Sequence, residues 1–390
     1  MDTANERSNE NFGGNLDTGM KNKGTAVIAI RQVSRDTGAS RIALGQVKTL
    51  SSLGYKVALL CERGDKEKIN SYGADCIKFI RFPFRGKIRR FWFNFRVKQW
   101  CKMHNPNLII SHGDVETPHI LYMHNCVHLA HERKFNTKSP SPLEVAAMHD
   151  KIIKGQKYKY LVANSQLMAR DFMGRYNIPE EKVRISYPKH DREKFNPASA
   201  EKNRAKKRQE IGIEDEKILI SLVTSGDFIV RNVSLFIDIA ALLDYRNKNK
   251  YSFLVVGKSN SAHYKHKAEQ LGIKSNLHWL DTTVDVESIY GASDIIVLPA
   301  YIETFCCVAL EAMACGKPVI MSSWIGASEL VEDDAPELVV SGYNAEDWCR
   351  QIEKLSDEEL RNKLGAESQR IAMLHAESQD PGSLDKLLEK

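Results

Sequence analysis

Two glutamates in one short segment have a spacing that lets both face one cleft, beside a predicted helix start that can accept a phosphate. Glu303 and Glu311 stand eight residues apart in LPAYIETFCCVALEAMACGKPVI, a pattern typical of a strand, a polar turn, a helix and a strand. Glu303 falls in the turn and Glu311 about two turns into the helix, so both carboxylates can face one cleft. The amides of residues 305–308 occupy the first helical turn, where free N–H groups and the helix dipole attract phosphate.

The elements around this segment predict two α/β domains, each built on a parallel sheet. Short apolar runs alternate with helical patterns, which is typical of parallel sheets covered by helices. The predicted strands of the first domain span 25–30, 56–61, 76–80, 107–112, 119–124, 159–165 and 183–188. Those of the second span 217–225, 251–257, 276–281, 294–300, 318–322 and 337–340. Because ligands bind at the carboxyl ends of strands in open parallel sheets, we expect the site in the cleft between the domains.

The composition is that of a globular protein and excludes several other classes. Hydrophobic residues make up 42% of the 390 residues and charged residues 27%, which rules out disorder of the whole chain. There is no run of about 18 apolar residues, and the first twenty residues are polar, so we expect neither a spanning helix nor a signal peptide. Eight cysteines without CxxC pairs or metal-ligand spacing favour a reduced, cytoplasmic setting.

The glutamate segment resembles the fingerprint of the retaining glycosyltransferases of family 4, the group 1 transferases. In that family a Glu, seven residues and a second Glu are followed by a turn like ACGKPV and then by a segment like GASELV, where Glu329 follows Gly326 here. The resemblance implies the GT-B fold, with two Rossmann-like domains whose parallel sheets face a cleft that holds a nucleotide-sugar. Taken alone, the pair of glutamates would also suit an exposed helix with a solvated acidic residue.

The resemblance also implies roles for the residues of this segment. Glu303 would contact hydroxyls of the donor sugar, and Glu311 would contact the ribose. The diphosphate would be bound by the backbone amides of Phe305, Cys306, Cys307 and Val308. The family usually has Gly where Cys306 stands, at a point where the backbone must approach phosphate closely.

A second motif of the family supplies two cations, an Arg and a Lys, to the diphosphate. This chain retains one of the two positive charges. Ser225 occupies the position of the family's Arg, and Arg231 occupies that of a Lys six residues later. A guanidinium can bind a diphosphate through two hydrogen bonds at once, so Arg231 can serve alone. The alternative is a loop arginine exposed to water.

The sequence TGASR near the N-terminus is similar to the family's glycine-rich turn, normally Gly-Gly-Ala-Glu-Arg. Thr37 replaces the first Gly and Ser40 replaces the Glu, which leaves Gly38, Ala39 and Arg41 to approach the donor phosphate or the acceptor. A plain structural βα turn is an equal alternative for this loop.

His124 ends a predicted strand where family members carry a His close to the anomeric end of the sugar. A lone His after a strand is also often a structural residue, and His112 at another strand end is a weaker candidate. The stretch YPKHDREKFNP retains Asp191, Phe195 and Pro197 of the family's order. Together with the Asp-Phe of GDF at 226–228, this order also occurs in bacterial lipopolysaccharide core glucosyltransferases.

Residues 79–102 form a basic, aromatic stretch that suits an anionic membrane surface. The stretch carries eight basic residues, eight aromatic ones and no acidic one, whereas the whole chain has a net charge of +6. Each Lys or Arg contributes about 1 kcal/mol near anionic headgroups, and aromatic rings settle at the interface. The alternative is that the aromatics belong to the core and the cations are merely solvated. Nucleic-acid binding is not expected, because no RNA or DNA module accompanies the stretch.

The chain is expected to have four regions, separated in part by a polar stretch. Residues 198–210 are predicted to form a solvated linker or a short exposed helix. We expect a disordered tail at 1–24, an acceptor-binding domain at 25–197, a nucleotide-sugar-binding domain at 198–370 and a C-terminal helix at 371–390 that returns to the first domain.

The resemblance therefore implies a retaining glycosyltransferase, which we expect to be metal-independent and to use His124, Glu303 and Arg231 as its catalytic residues. It would move a hexose from a nucleotide-diphosphate sugar, with UDP favoured, to a cell-envelope glycan or glycolipid such as lipopolysaccharide core or capsule. No cofactor and no metal are expected, because no Asp-x-Asp motif is present. The expected location is the cytoplasm or the cytoplasmic face of the membrane. The rival hypothesis is a non-catalytic GT-B scaffold or regulatory partner in glycan assembly; a dinucleotide oxidoreductase is disfavoured, since no G-x-G-x-x-G follows a predicted strand.

Overall fold

The computed structural model of this chain describes residues 23–33, 37–83, 86–138, 144–377 and 380–389. Most of the tail expected at 1–24 lies outside the described residues. In chain order, the strands are β1 (Thr25–Ala29), β2 (Gln32–Val33), β3 (Lys56–Cys61), β4 (Arg63–Gly64), β5 (Ala74–Lys78), β6 (Leu108–Ser111), β7 (Ile120–Tyr122), β8 (Tyr160–Ala163), β9 (Val183–Ile185), β10 (Ile218–Val223), β11 (Tyr251–Val256), β12 (Leu277–Leu280), β13 (Ile295–Leu298), β14 (Val319–Ser322) and β15 (Val339–Val340).

The α-helices connect these strands. They are α1 (Gly38–Ser52), α2 (Lys66–Ser71), α3 (Lys87–His104), α4 (Val127–Phe135), α5 (Glu144–Gly155), α6 (Gln166–Tyr176), α7 (Pro197–Glu201), α8 (Arg204–Ile211), α9 (Val233–Arg246), α10 (Ala262–Gln270), α11 (Val286–Ala292), α12 (Cys307–Ala314), α13 (Ala345–Lys354), α14 (Glu358–Glu377) and α15 (Leu384–Leu388). None of these described helices is both long enough and apolar enough to cross a bilayer.

Two parallel sheets organise the described chain, as the alternation of apolar runs predicts. The first has seven strands in the order β5-β3-β1-β6-β7-β8-β9, and the second has six in the order β12-β11-β10-β13-β14-β15. Alternate residues of β1 belong to separate cores: Ala26 and Ile28 to one, Val27 and Ala29 to another. Both faces of this sheet are therefore buried, which is why its strands read as continuous apolar runs. We call the parts built on the two sheets the first lobe and the second lobe.

Every strand predicted from the sequence overlaps an observed strand, but the pair β2 and β4 was not predicted. These two-residue strands pair in parallel beyond the carboxyl ends of β1 and β3, with Gln32 opposite Arg63 and Val33 opposite Gly64. A strand of two residues has no periodicity for the sequence to reveal.

The polar stretch at 198–210 is helical and less exposed than expected. It contributes to α7 and α8, and Arg208 of α8 is only 2% exposed. The Arg208 guanidinium donates to Asp294 Oδ2 at 3.1 Å and to the carbonyl oxygens of Ala292 and Glu214 at 3.0 and 2.7 Å. An arginine can be buried when its donors find partners, and two of these partners, Ala292 and Asp294, lie far away in the sequence.

The C-terminal residues divide between the two lobes. The helix expected at 371–390 is two helices: α14 begins at Glu358 and places Ile371 in the core of the second lobe, while α15 places Leu384 in the core of the first. Between them, Gly382 receives a hydrogen bond from the Tyr122 hydroxyl (3.1 Å), and its amide donates to the Ile185 carbonyl (2.9 Å). The chain therefore crosses back to the first lobe after α14.

Candidate functional site

Glu303 lies in the turn after β13, where its carboxylate pairs with the Arg231 guanidinium. The two side chains are 17% and 22% exposed, so the pair is largely withdrawn from water. Backbone bonds fix the turn: the Glu303 amide donates to the Trp324 carbonyl, and the Glu303 carbonyl accepts from the Gly326 amide, each at 3.0 Å. Burial raises the pKa of Glu303, although the positive charge of Arg231 opposes the rise. Two of the three predicted catalytic residues are thus in direct contact.

Glu311 lies on α12 and faces the first lobe. Its carboxylate is 9% exposed and pairs with Arg41 Nη1 of α1 at 3.3 Å. The Tyr290 hydroxyl donates to its second oxygen at 3.1 Å. Burial raises the pKa of Glu311, while Arg41 and Tyr290 act to lower it. The second predicted glutamate is therefore joined to a residue of the predicted glycine-rich turn across the gap between the lobes.

The residue before α12 has an unusual backbone conformation. Cys306 is the N-cap and has φ +82°, in the left-handed region that favours glycine. Holding a residue with a Cβ there costs about 1 to 2 kcal/mol. This conformation explains in physical terms why the resembled family usually has Gly at this position.

The first turn of α12 contains amides without an intrahelical partner. The Cys307 and Val308 amides have no carbonyl partner within the helix, as in any first helical turn, whereas the Ala309 amide donates to the Cys306 carbonyl at 3.1 Å. Phe305 is buried and packs against Tyr187, so its side chain anchors the turn.

The predicted glycine-rich turn is a capped helix start and does not need a positive φ. Thr37 has an extended backbone, and its hydroxyl accepts a hydrogen bond from the Ser40 amide at 3.2 Å, so Thr37 acts as the N-cap of α1. A Cβ on Gly38 would lie 4.0 Å from Cys307 Sγ. Gly38 and Arg41 therefore face the second lobe, whereas Ala39 lines a different cavity of the first lobe.

His124 follows β7 and contacts both lobes. Its carbonyl accepts a hydrogen bond at 3.0 Å from the hydroxyl of Thr304, the residue that follows Glu303. Its Nε2 is 2.8 Å from His112 Nδ1, and His112 Nε2 is 2.9 Å from Gln46 Oε1. Burial lowers the pKa of His124 from 6.5 to about 4, so the imidazole is neutral near pH 7. The weaker candidate, His112, is thus the direct partner of the stronger one.

A cavity of about 430 Å³ lies between the lobes and gathers some of the predicted residues. Its lining includes Gly38, Arg41, His124 and Cys307. The side chains of Glu303, Arg231 and Glu311 are not part of that lining. They lie beside it. Glu311 pairs with the lining residue Arg41, and Thr304, the neighbour of Glu303 in sequence, donates a hydrogen bond to the lining residue His124.

Glu329 joins the two lobes, a role that its place in the sequence did not reveal. Its carboxylate accepts from the amides of Gln166 and Leu167 at 2.8 and 2.6 Å, in the first turn of α6, and from the Tyr187 hydroxyl at 3.0 Å. A carboxylate is stabilised at the positive end of a helix. Nearby, a Cβ on Gly326 would lie 2.2 Å from the Thr304 carbonyl oxygen, so the close approach requires glycine.

Helix α4 of the first lobe also reaches the second lobe. The Arg133 guanidinium lies 3.7 Å from the centre of the Trp324 ring, and Lys134 Nζ lies 2.9 Å from Asp227 Oδ2. Sequence reasoning missed these residues because HERKF is typical of any exposed helix.

Asn164 was also missed: its Nδ2 donates to the Thr304 hydroxyl at 3.1 Å, and only its position at a strand end could have signalled it.

Among the described residues, no group of three or more His, Cys, Asp or Glu side chains is arranged to hold a metal ion. Arg231 and Arg41 bring positive charge to the site, and each contacts one of the two glutamates. The arrangement can therefore bind an anion and a polar group side by side.

Two family models match the chain, one for each lobe. The model described as Glycosyltransferase Family 4 covers residues 37–194, and the one described as Glycosyl transferases group 1 covers residues 203–370. The chain belongs to the group 1 glycosyltransferases and has the GT-B fold.

Curated relatives match about half of the chain. The D-inositol 3-phosphate glycosyltransferase of Salinispora arenicola is 29% identical over 226 residues, which are 54% of this chain and 50% of the relative. The enzyme of the same name from Corynebacterium jeikeium is 29% identical over 214 residues, 53% of this chain and 51% of the relative. The chain spans about half the length of the curated relatives it matches.

Solved structures show the fold over nearly the whole chain. WaaG, a glycosyltransferase involved in lipopolysaccharide biosynthesis, superposes with a TM-score of 0.74 at 21% identity, covering 92% of this chain and 97% of WaaG. Anabaena HepE in complex with UDP-glucose superposes with a TM-score of 0.69 at 15% identity, covering 90% of this chain and 95% of HepE.

The buried imidazole of His124 should make the fold lose stability as the pH falls. Its pKa is about 4 in the folded chain and ordinarily 6.5, so between these values the folded state binds fewer protons than the unfolded state. Acidification through this window therefore lowers the free energy of unfolding. His124→Gln removes this contribution, so we expect a smaller loss of unfolding free energy between about pH 7 and pH 5, measured by urea denaturation.

The matched control is His266→Gln, because His266 lies exposed on α10. This variant should keep the wild-type loss between the two pH values. An equal loss in His124→Gln and the wild type would contradict the conclusion that burial holds His124 neutral.

Proposed function

We propose that this chain is a retaining glycosyltransferase that moves a hexose from a UDP-sugar to a glycan or glycolipid of the cell envelope, such as lipopolysaccharide core or capsule. The observation that carries the proposal is the pair of buried glutamates beside the cleft, each joined to an arginine. The solved complex of HepE with UDP-glucose and the role printed for WaaG in lipopolysaccharide biosynthesis support the donor and the acceptor class.

The donor would lie against the second lobe, with its diphosphate at the start of α12. The amides of Cys307 and Val308 lie in the first turn of this helix and would donate to the diphosphate, and the helix dipole favours negative charge at that end. Glu303 would accept hydrogen bonds from sugar hydroxyls, and Glu311 from the ribose. Arg231 would bind the diphosphate while it holds Glu303 in place.

Glu303 is suited to position the donor sugar and not to attack it. Its carboxylate already pairs with Arg231, and a carboxylate in such a pair is a weak nucleophile because its charge is neutralised. In the proposed reaction the bond between the anomeric carbon and the phosphate oxygen breaks. The acceptor oxygen then bonds to that carbon from the same face, and its proton passes to the leaving phosphate oxygen.

The charge that develops on the leaving diphosphate would be stabilised without a metal ion. Arg231 and the amides at the start of α12 are fixed donors, and such preorganised groups stabilise a developing anion without reorganisation. His124 would stand on the acceptor side as a neutral imidazole that can donate or accept a hydrogen bond.

The alternative, a non-catalytic scaffold of glycan assembly, rests on the missing second cation. Ser225 is exposed at the position of the family's Arg, so it adds no charge to the site. The two hypotheses differ in whether the purified chain releases UDP from a UDP-sugar.

Removing either member of the Glu303–Arg231 pair should abolish most turnover while the chain stays folded. We expect Arg231→Ala and Glu303→Gln to reduce UDP release from UDP-glucose by about a hundredfold or more, the usual cost of losing one group that stabilises transition-state charge. Arg231→Lys should restore part of the activity, since Lys can still act as a point charge. Thermal unfolding of each variant checks that it is folded.

The control for this series is Arg370→Ala. Arg370 is an exposed arginine of α14 that pairs with Glu367 and Asp334, away from the cleft. This variant should keep wild-type turnover. A folded Arg231→Ala enzyme with wild-type activity would remove Arg231 from the reaction.

We further propose that α3 binds an anionic membrane at the cytoplasmic face. Apolar side chains at helical spacing form a stripe along it: Ile88 is 60% exposed, Phe95 is 48% exposed and Met103 is 73% exposed, with Trp92 between the first two. The lysines at 87, 98 and 102 are also exposed on this helix. An amphipathic helix of this kind lies in the interface with its apolar side in the lipid.

Replacing two apolar side chains of this stripe with polar ones should weaken the binding of the chain to lipid vesicles. Trp100 packs against the core of the first lobe, so Ile88 and Phe95 are the better positions to change. We expect wild type to float with vesicles that contain phosphatidylglycerol, and Ile88→Ser with Phe95→Ser to bind them at least about tenfold more weakly.

Leu374→Ser provides the control, because Leu374 is 55% exposed on α14 of the second lobe. It should bind the vesicles as wild type does. If the double variant at 88 and 95 floats unchanged, α3 is not the membrane-binding element.

A further inference from the structure

A second cavity, of about 260 Å³, lies in the first lobe. It forms at the carboxyl ends of β1, β3, β6 and β7, the edge of an open parallel sheet where ligands bind. His124 lines both this cavity and the one between the lobes, so the two are neighbours. Its charged lining consists of Arg31, Glu62, Arg63, Arg81, Arg90 and Asp114.

The arginines of this cavity exceed its carboxylates by two. Arg31 pairs with Glu62 at 2.9 Å, and Arg90 pairs with Asp114 at 2.7 Å. Within the described part of the chain, the guanidinium groups of Arg63 and Arg81 make no hydrogen bond or ion pair. Two positive charges are therefore available to an incoming anion.

The histidines of the cavity add hydrogen-bonding groups but little charge. Burial lowers the pKa of His112 and lowers that of His149 to about 3, so both are neutral near pH 7. The positive charge thus belongs to the arginines, which do not lose it at any pH at which the protein is folded.

The small sheet of β2 and β4 holds the arginine-bearing loops in place. The Arg31 carbonyl accepts from the amides of both Glu62 and Arg63 at 3.0 Å. A Cβ on Gly64 would lie 2.8 Å from Cys61 Sγ and 2.8 Å from Ile69 Cδ1, so this strand fits tightly on the lobe. The backbone that carries Arg31 and Arg63 is therefore fixed before any ligand arrives, which lowers the entropic cost of binding.

The cavity also contains an acceptor for a hydroxyl group. Glu62 has a side chain only 3% exposed, and its Oε1 has no hydrogen-bond partner among the residues that the structure describes, because Arg31 contacts only Oε2. A buried carboxylate oxygen without a donor is unfavourable and is satisfied when a ligand hydroxyl donates to it. A sugar with one anionic substituent offers both groups that the cavity lacks.

We propose that this cavity binds an anionic group, a phosphate or a carboxylate, carried by the acceptor sugar. Arg63 and Arg81 bind the anion, Glu62 accepts a sugar hydroxyl, and the hydroxyl that receives the hexose lies toward His124. This proposal rests on the proposed transferase function and specifies its acceptor: a charged sugar and not a neutral one.

The test separates this anion site from the donor diphosphate site. Inorganic phosphate is titrated by calorimetry into the full chain that already holds saturating UDP, so that the amides of α12 are occupied. Wild type should bind phosphate, and Arg63→Gln and Arg81→Gln should each bind it about tenfold more weakly or worse, as expected for the loss of one charge-assisted contact. Arg350→Gln, which changes an exposed arginine on α13, should bind it as wild type does.

Competition against bound phosphate then identifies the source of the anion. Glucose 6-phosphate and glucuronic acid present a phosphate and a carboxylate on one sugar, whereas glucose presents neither. We expect at least one of the charged sugars to displace phosphate and glucose not to do so. The stronger competitor shows whether the cavity prefers a phosphate or a carboxylate.

Two results of the titrations would overturn the inference: absence of phosphate binding to the UDP-loaded wild type, or wild-type affinity in both Arg63→Gln and Arg81→Gln. Equal competition by glucose would also overturn it, since no anion would be needed. If UDP itself does not bind the wild type, the proposed transferase function fails instead, and this is measured in the same titrations.

Discussion

Placing two carboxylates out of water beside a cleft is the constraint on which the rest of the site depends. A buried charge is costly unless an opposite charge and hydrogen bonds meet it. Glu303 has Arg231 of its own lobe, and Glu311 has Arg41 of the other lobe together with the Tyr290 hydroxyl. The pairing of Glu311 with Arg41 couples α12 to α1, so the same interaction that stabilises a carboxylate also keeps the two lobes close.

The surrounding backbone follows from this arrangement. Thr304, between Glu303 and the start of α12, contacts His124 and Asn164 of the first lobe. Gly326 has no side chain, so its backbone can pack closely against the Thr304 carbonyl. Glu329 adds a carboxylate at the first turn of α6. Charged groups and a helix end thus take part in the contact between the two lobes, and polar interfaces between domains commonly permit domain movement.

Much of the fold could be predicted from the sequence, because buried parallel strands give long apolar runs and their spacing reports the helices between them. The segment from Glu303 to Glu311 could be found for a similar reason, since its glutamates, turn and helix are close in sequence. What could not be predicted depends on residues distant in sequence: the burial of Arg208 against Asp294, the contact of His112 with His124, and the pairing of β2 with β4. The left-handed backbone of Cys306 could not be predicted from the cysteine itself, although the glycine usual in the family at this position is consistent with it.

The central claim is that the start of α12 and its two flanking glutamates hold a sugar diphosphate, and a crystal structure of the complex with UDP-glucose tests it most directly. The account predicts diphosphate oxygens within hydrogen-bonding distance of the Cys307 and Val308 amides, with a sugar hydroxyl on Glu303. A nucleotide bound elsewhere, with Glu303 and Glu311 out of contact with it, would contradict the account.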